Sequence, residues 1–214
     1  MGSDPSTAVV RTARGARGRE QRREAILGAA FAVFARRGYA QTCVQEVAQE
    51  AGVAKPTVYN HLDDKETLYR EALQAAAGRV AEQGVAVVER LRGAGGHGAV
   101  REVLTEAGRG LAELWNGPEA SALRRLAEAE AGSFPGLAAD LRLRTDVRLQ
   151  RALADHLARL ALAGHLRACD PDRAAEHLLA LLTGPARFRP YEEEAPGGED
   201  AERAVEVFLR AYGA

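Results

Sequence analysis

Apolar residues in this chain recur at helical spacing, and no stretch shows the β-branched alternation of a strand. Ile26, Ala30, Val33 and Phe34 mark one face of a helix over about 20–37, with Gly38 ending it as a C′ residue. Val44, Val47 and Ala48 form the inner face of a short helix over about 43–50. Gly52 interrupts the pattern, and a third short helix covers about 55–61. Asp63-x-x-Glu66 reads as a capping box that opens a long helix from about Asp64 towards Leu91.

Beyond a Gly-rich loop at Gly93–Gly98, helices are expected at about 99–115 and 118–131, separated by Asn116-Gly117-Pro118. A longer one over about 135–163 carries Leu137, Leu141, Val147, Leu153, Leu157 and Leu160. Asp170 as N-cap and Pro171 at the first helical position open another, running to about Thr183. Residues 184–198 read as a loop and 199–212 as a last amphipathic helix. No repeat of fixed period is present. The expected fold class is all-α, with an arm at 1–19, a small three-helix unit at 20–64 and a larger helical unit at 65–214.

Composition leaves this picture standing and removes alternatives. With 214 residues, 46% hydrophobic and 28% charged, the chain has the make-up of an ordinary water-soluble protein. No apolar run approaches the roughly 20 residues of a membrane span, and the Arg-rich start lacks the apolar core of a secretory signal. The two cysteines, Cys43 and Cys169, form no disulfide framework, so a cytoplasmic location is expected. The net charge of −1 hides an asymmetry. Residues 1–70 hold 11 Lys and Arg against 8 Asp and Glu, whereas the remainder is net acidic. Six Arg and one Glu fall between Arg11 and Arg23, so that this arm either follows DNA phosphates or is a solvated tail.

The segment from Thr42 to Leu68 carries the functional signal. A short helix, a sharp turn through Ala51-Gly52-Val53 and a second short helix make a helix-turn-helix. Ala48 allows a close helix crossing, and Gly52 supplies a left-handed turn that a Cβ would oppose. The second helix presents Lys55, Pro56, Thr57, Tyr59, Asn60 and His61 to a major groove or its phosphates. So many hydrogen-bonding side chains on two turns exceed what packing needs.

This segment and the helix before it resemble the DNA-binding domain of the tetracycline-repressor (TetR) family. The resemblance rests on Ala29, Phe34, Gly38 and Tyr39, then Thr42–Ala48, then Ala51–Leu62, then Lys65, Glu66 and Leu68. It implies DNA contacts from Lys55, Thr57, Tyr59, Asn60 and His61, with Lys65 on a phosphate and Gln45 reaching a base or phosphate. The family pattern has Ser or Thr where Cys43 stands and a polar cap where Ala54 stands. Thr42 is therefore expected to cap in place of Cys43, with Gln45 closing a Thr-x-x-Gln box, while the missing cap at Ala54 costs about 1 kcal/mol.

For the larger unit, Phe134-Pro135-Gly136-Leu137 and the stretch from Asp170 onward are similar to a recurrent C-terminal domain of the family. The resemblance implies a homodimer, which we expect to form through Leu178, Leu181, Leu182, Val205, Phe208 and Leu209. It also implies an unidentified small-molecule effector, for which Trp115, Arg109, Arg144 and His156 are the candidate contacts, each with a plain packing or ion-pair reading beside it. His165 and Cys169 are too few to hold a metal. No nucleophile set, phosphate loop or dinucleotide fingerprint is recognisable, so no cofactor and no enzyme activity are expected. The expected function is a regulator that binds a palindromic double-stranded DNA operator and is released from it by the effector. The alternative is a helical ligand-binding protein whose helix-turn-helix no longer binds DNA specifically.

Overall fold

The helical periodicity closes into nine helices among the described residues of a computed structural model. It describes the backbone of residues 5–90, 97–188 and 198–214, and the side chains of 17–90, 100–184 and 199–214. The helices are α1 (Pro5–Gln41), α2 (Val44–Glu50), α3 (Lys55–Tyr59), α4 (Lys65–Glu89), α5 (His97–Asn116), α6 (Pro118–Ala129), α7 (Leu137–Leu162), α8 (Pro171–Phe188) and α9 (Gly198–Tyr212). Leu166 and Gly213 form an isolated antiparallel bridge, and no strand is present among the described residues.

Two boundaries differ from the sequence reading. Helix α1 begins at Pro5, inside the segment expected to be an arm, and is broken at Gly38 (φ 75°). Helix α8 runs past Thr183 to Phe188. The expected loops at 93–98 and 184–198 lie largely outside the described residues.

The chain divides into two compact units. One comprises Met1–Ala76 together with Leu126–Phe134, and the other Ala77–Arg125 with Pro135–Ala214. The division thus does not follow the expected boundary at residues 64 and 65. The first twelve residues of α4 and the stretch after the middle of α6 belong to the head.

In the head, α1 buries Ile26, Leu27, Ala30, Phe31, Val33 and Phe34, and α4 contributes Leu68, Tyr69, Ala72, Leu73 and Ala76. Both sets repeat every three or four residues, as one face of a helix must. Phe34, Tyr39, Tyr69 and Phe134 meet as an aromatic cluster. Tyr69 makes edge contacts with Phe34 and Tyr39 at 4.9 Å, and Phe134 meets Tyr39 at 5.0 Å. Such offset and edge geometries satisfy the ring quadrupoles.

In the second unit α7 packs on α8, and α5 on α9. Leu104, Leu153, Leu157, Leu178, Val205 and Phe208 are each at most 2% exposed in its core. Gly108 lets α5 approach closely, since a Cβ there would stand 3.1 Å from Leu182 and 3.2 Å from Val205. Asp170 caps α8 as its sequence predicts, accepting the Asp172 and Arg173 amides at 3.0 and 3.3 Å.

Candidate functional site

The helix-turn-helix is held from beneath by an apolar wedge. Val44, Val47 and Ala48 on α2 and Val58 on α3 are buried, with Val47 and Ala48 fully so. The turn is a Schellman motif: Gly52 (φ 65°) donates to the Gln49 carbonyl at 3.1 Å, and Val53 to the Ala48 carbonyl at 2.9 Å. Ion pairs Arg36–Glu50 (2.7 Å) and Arg37–Glu46 (3.5 Å) tie α2 to α1. Both are exposed, so each contributes at most about 1 kcal/mol and fixes register more than stability.

Capping departs from expectation. Cys43, not Thr42, is the N-cap of α2, and the Glu46 carboxylate, not Gln45, accepts the cap amide at 3.3 Å. Thr42 is 4% exposed and its hydroxyl donates to the Gly38 carbonyl at 2.7 Å. Its side chain is committed to the end of α1. Ala54 is the N-cap of α3 and offers no side-chain acceptor, as expected, with Pro56 in the first turn. Helix α4 is capped by Asp64 rather than Asp63: the Thr67 amide donates to Asp64 Oδ1 at 2.6 Å. That bond stabilises the carboxylate and holds the Asp64 pKa below its ordinary value.

With Val58 turned inward, the remaining side chains of α3 and its flanks lie outward. Gln45, Lys55, Pro56, Asn60 and Tyr59 (42% exposed) are solvent-facing, and so is Cys43. Thr57, His61 and Lys65 are part-buried. Lys55 Nζ stands 5.9 Å from the Tyr59 ring centroid, which brings a cation and a phenol together on one surface. Lys65 Nζ donates to the Ala40 carbonyl at 3.2 Å and lies 4.7 Å from the Tyr39 ring centroid. It therefore joins the start of α4 to the end of α1. Burial raises the Tyr39 pKa, with Glu66, Asp64 and Glu130 adding to it, and burial raises that of Tyr69 further. Both phenols keep their protons at neutral pH.

In the second unit a cavity of about 500 Å³ is lined by residues of α4, α5, α7 and α8. Trp115 is among them, and its indole Nε1–H is buried without a partner. The other candidate ligand contacts are elsewhere. Arg109 pairs with Glu202 at the surface, Arg144 is exposed, and His156 is buried on α7 but absent from the cavity wall. The expected dimer residues also need correction. Leu178, Leu182, Val205 and Phe208 are 0–4% exposed inside their own subunit, so they have no surface left for a second one. Leu181 and Leu209 pack partly against the same core. The apolar stripe that suggested a dimer is the inner face of each helix.

Two family models match the chain. "Bacterial regulatory proteins, tetR family" covers residues 26–72, and "AefR-like transcriptional repressor, C-terminal domain" covers residues 102–214, more than half of the chain. The chain belongs to the TetR family of transcriptional regulators. Curated relatives of this TetR-family chain match over about a quarter of its length. The transcriptional activator FasR of Mycolicibacterium smegmatis is 45% identical over 56 residues, 26% of each chain. The transcriptional repressor KstR2 of Rhodococcus jostii is 37% identical over 57 residues, 27% of this chain and 28% of that one. The match thus spans about a quarter of these relatives. Solved structures match over most of the length. A TetR-family regulator from Mesorhizobium loti has a TM-score of 0.83 and 29% identity, covering 92% of this chain and 98% of that one. Another from Pseudomonas syringae has a TM-score of 0.61 and 28% identity, covering 90% and 97%.

The sequence reading of this TetR-family regulator left out Tyr39, Tyr69 and Phe134 as a group, and Asp146, Gln150, Glu176 and Thr183 around the cavity. The latter had one legible trace: Asp146/Gln150 and Glu176/Thr183 recur at one and two turns on their helices.

Proposed function

We propose that this TetR-family chain is a repressor that binds a palindromic operator as a homodimer and is released by a small molecule held in the second unit. The observation that carries the DNA part is the outward set of Lys55, Tyr59, Asn60 and Gln45 above a buried Val47–Ala48–Val58 wedge. One short helix reads too few base pairs to find a site in a genome. Two heads on a two-fold axis read half-sites about one helical turn, ~34–36 Å, apart or somewhat more. Thr57 and His61 border the same surface, and Lys65 supplies charge at its edge.

The continuity of α4 supports the release step. Val80 and Ala81 line the cavity, and Lys65, Leu68 and Tyr69 of the same helix belong to the head. A ligand that fits best with α4 displaced selects a state whose two recognition helices no longer match the operator spacing.

The test is fluorescence anisotropy of the purified protein on duplexes selected from a randomised pool, then on DNA upstream of its own gene. Sequence-selective, salt-sensitive binding is expected. Binding that is equal on all duplexes would favour a ligand-binding protein that has lost its operator.

A further inference from the structure

The cavity of the second unit has an apolar floor and a polar side whose hydroxyl protons are already spent. Val80 and Ala81 of α4 and Leu111 and Leu114 of α5 make the floor, and the volume of about 500 Å³ suits a small organic molecule. Trp115 joins them with ring carbon, since its Nε1–H is itself buried. The polar side belongs to α7 and α8. The Thr183 hydroxyl donates to the Leu179 carbonyl at 2.9 Å. Thr145, only 8% exposed, has three acceptors for one proton: the Leu141 carbonyl at 3.0 Å, the Arg142 carbonyl at 3.2 Å and Asp146 Oδ1 at 3.1 Å. Each threonine oxygen therefore keeps a lone pair for a ligand but no proton. The Gln150 amide nitrogen donates to the Asp172 carbonyl at 3.4 Å, which leaves its carbonyl oxygen and one N–H. Asp146 is partnered beyond the Thr145 hydroxyl and offers no free charge, and Glu176 stands at the exposed rim. No Lys, Arg or His lines the cavity among the described residues.

We propose that this cavity takes a neutral, largely apolar molecule bearing a hydroxyl group, whose O–H donates to the Thr145 oxygen. Such a ligand uses the free lone pair of Thr145 without disturbing the bond that the threonine already makes. A ketone of the same shape can only accept. It must draw the threonine proton off its present acceptor or leave its own oxygen unpaired in a dry site. A carboxylate has the same fault and carries a charge into apolar surroundings. An ammonium brings donors but meets no free buried counter-charge. With the floor on α4 and α5 and the acceptor on α7, the hydroxyl decides which way round the apolar body lies. This inference deepens the effector half of the proposed function and rests on that reading only for the regulatory consequence.

Trp115 is the only tryptophan of the chain, so its intrinsic fluorescence reports the cavity directly, while calorimetry supplies each Kd. The full-length protein is titrated at neutral pH with four probes on one saturated scaffold: trans-4-tert-butylcyclohexanol, 4-tert-butylcyclohexanone, and the corresponding carboxylate and ammonium. The alcohol should give a saturable fluorescence change and the lowest Kd, about three- to tenfold below that of the ketone, the span of one net hydrogen bond. Thr145→Val keeps the shape and removes the oxygen. It should raise the alcohol Kd to that of the ketone and leave the ketone Kd unchanged, whereas Thr145→Ser should keep the preference. A ketone, carboxylate or ammonium that binds as tightly as the alcohol overturns the proposal. So does the absence of a saturable alcohol response, or an alcohol preference that survives Thr145→Val. The probe series on the unaltered protein decides even if a variant fails to fold. Operator binding is measured on the same samples. Alcohol binding without any operator binding would sink the regulator reading and leave this one standing; operator binding with a preference for the ketone or a charged probe would do the reverse.

Discussion

The Tyr69 hydroxyl donates to the Leu126 carbonyl at 2.8 Å across 57 residues of sequence, and the Phe134 ring stands 5.1 Å from the Tyr69 ring. The same carbonyl also accepts the Glu130 amide at 3.3 Å. Tyr69→Phe therefore leaves it partnered and should cost only about 0.5–1.5 kcal/mol. Phe134→Ala empties a buried aromatic site and should cost about 3–5 kcal/mol. Urea unfolding followed by circular dichroism separates the two.

Glycine replacements should divide by mechanism. At Gly52 a Cβ meets nothing within 4 Å, so Gly52→Ala carries only the left-handed backbone penalty, about 1–2 kcal/mol. At Gly108 the helix favours alanine by roughly 1 kcal/mol. The 3.1 and 3.2 Å approaches to Leu182 and Val205 oppose it, and overpacking costs about 1–3 kcal/mol. Gly108→Ala should thus be neutral to destabilising despite its helical position, as thermal melts would show.

The pH dependence has a sign at each end. Asp64 has a folded pKa below the ordinary value of 3.8, so its contribution is complete above that value and is lost as pH falls through the folded pKa. Asp64→Asn keeps a capping oxygen and should flatten the acid limb of a stability–pH curve. Tyr39 and Tyr69 have pKa values raised above the ordinary 10.0, so the unfolded chain loses these protons first and stability falls as pH rises past 10. Tyr69→Phe should reduce that alkaline slope.

DNA binding should separate the readout residues by their contacts within the head. Lys55→Ala and Tyr59→Ala should weaken operator binding without changing the unfolding midpoint. Loss of a Lys55–phosphate contact should lower the salt slope by about 1. Lys65→Ala should lower both affinity and stability, because it also removes the bond to Ala40 and the contact with Tyr39. Anisotropy titrations over a salt series, paired with melts, test this.

Subunit association should respond to the outer faces of α8 and α9, not to their inner stripe. Val207 is 50% exposed on α9 and shares a face with Arg203, Arg210 and Ala211. Val207→Glu should dissociate the proposed homodimer in sedimentation while the fold persists. Leu178→Ala, by contrast, should cost about 2–5 kcal/mol of subunit stability through the cavity it opens.

The helices were legible because an amphipathic face repeats within one segment. Asp170-Pro171 and Gly52 were legible because only certain residues tolerate those backbone positions. The caps at Cys43 and Asp64 were each displaced by one residue in the sequence reading. Neighbouring Thr, Cys and Asp all carry capping-capable groups, and Thr42 was claimed by the Gly38 carbonyl. An apolar stripe on α8 or α9 says that a face is covered but not whether its own subunit or another one covers it. The cavity depends on four helices meeting, so its wall could not be read from the register of any one.

Phe134 and Leu126 complete the core of a unit whose other residues end at Ala76. The reading head is therefore not a bead that can be cut from the amino terminus and strung onto another protein. A chimera joined in the middle of α4 would inherit a head lacking one of its four clustered rings. Recombination between relatives of this chain can exchange second units freely only where the segment 126–134 travels with its own head or is matched by an equivalent one.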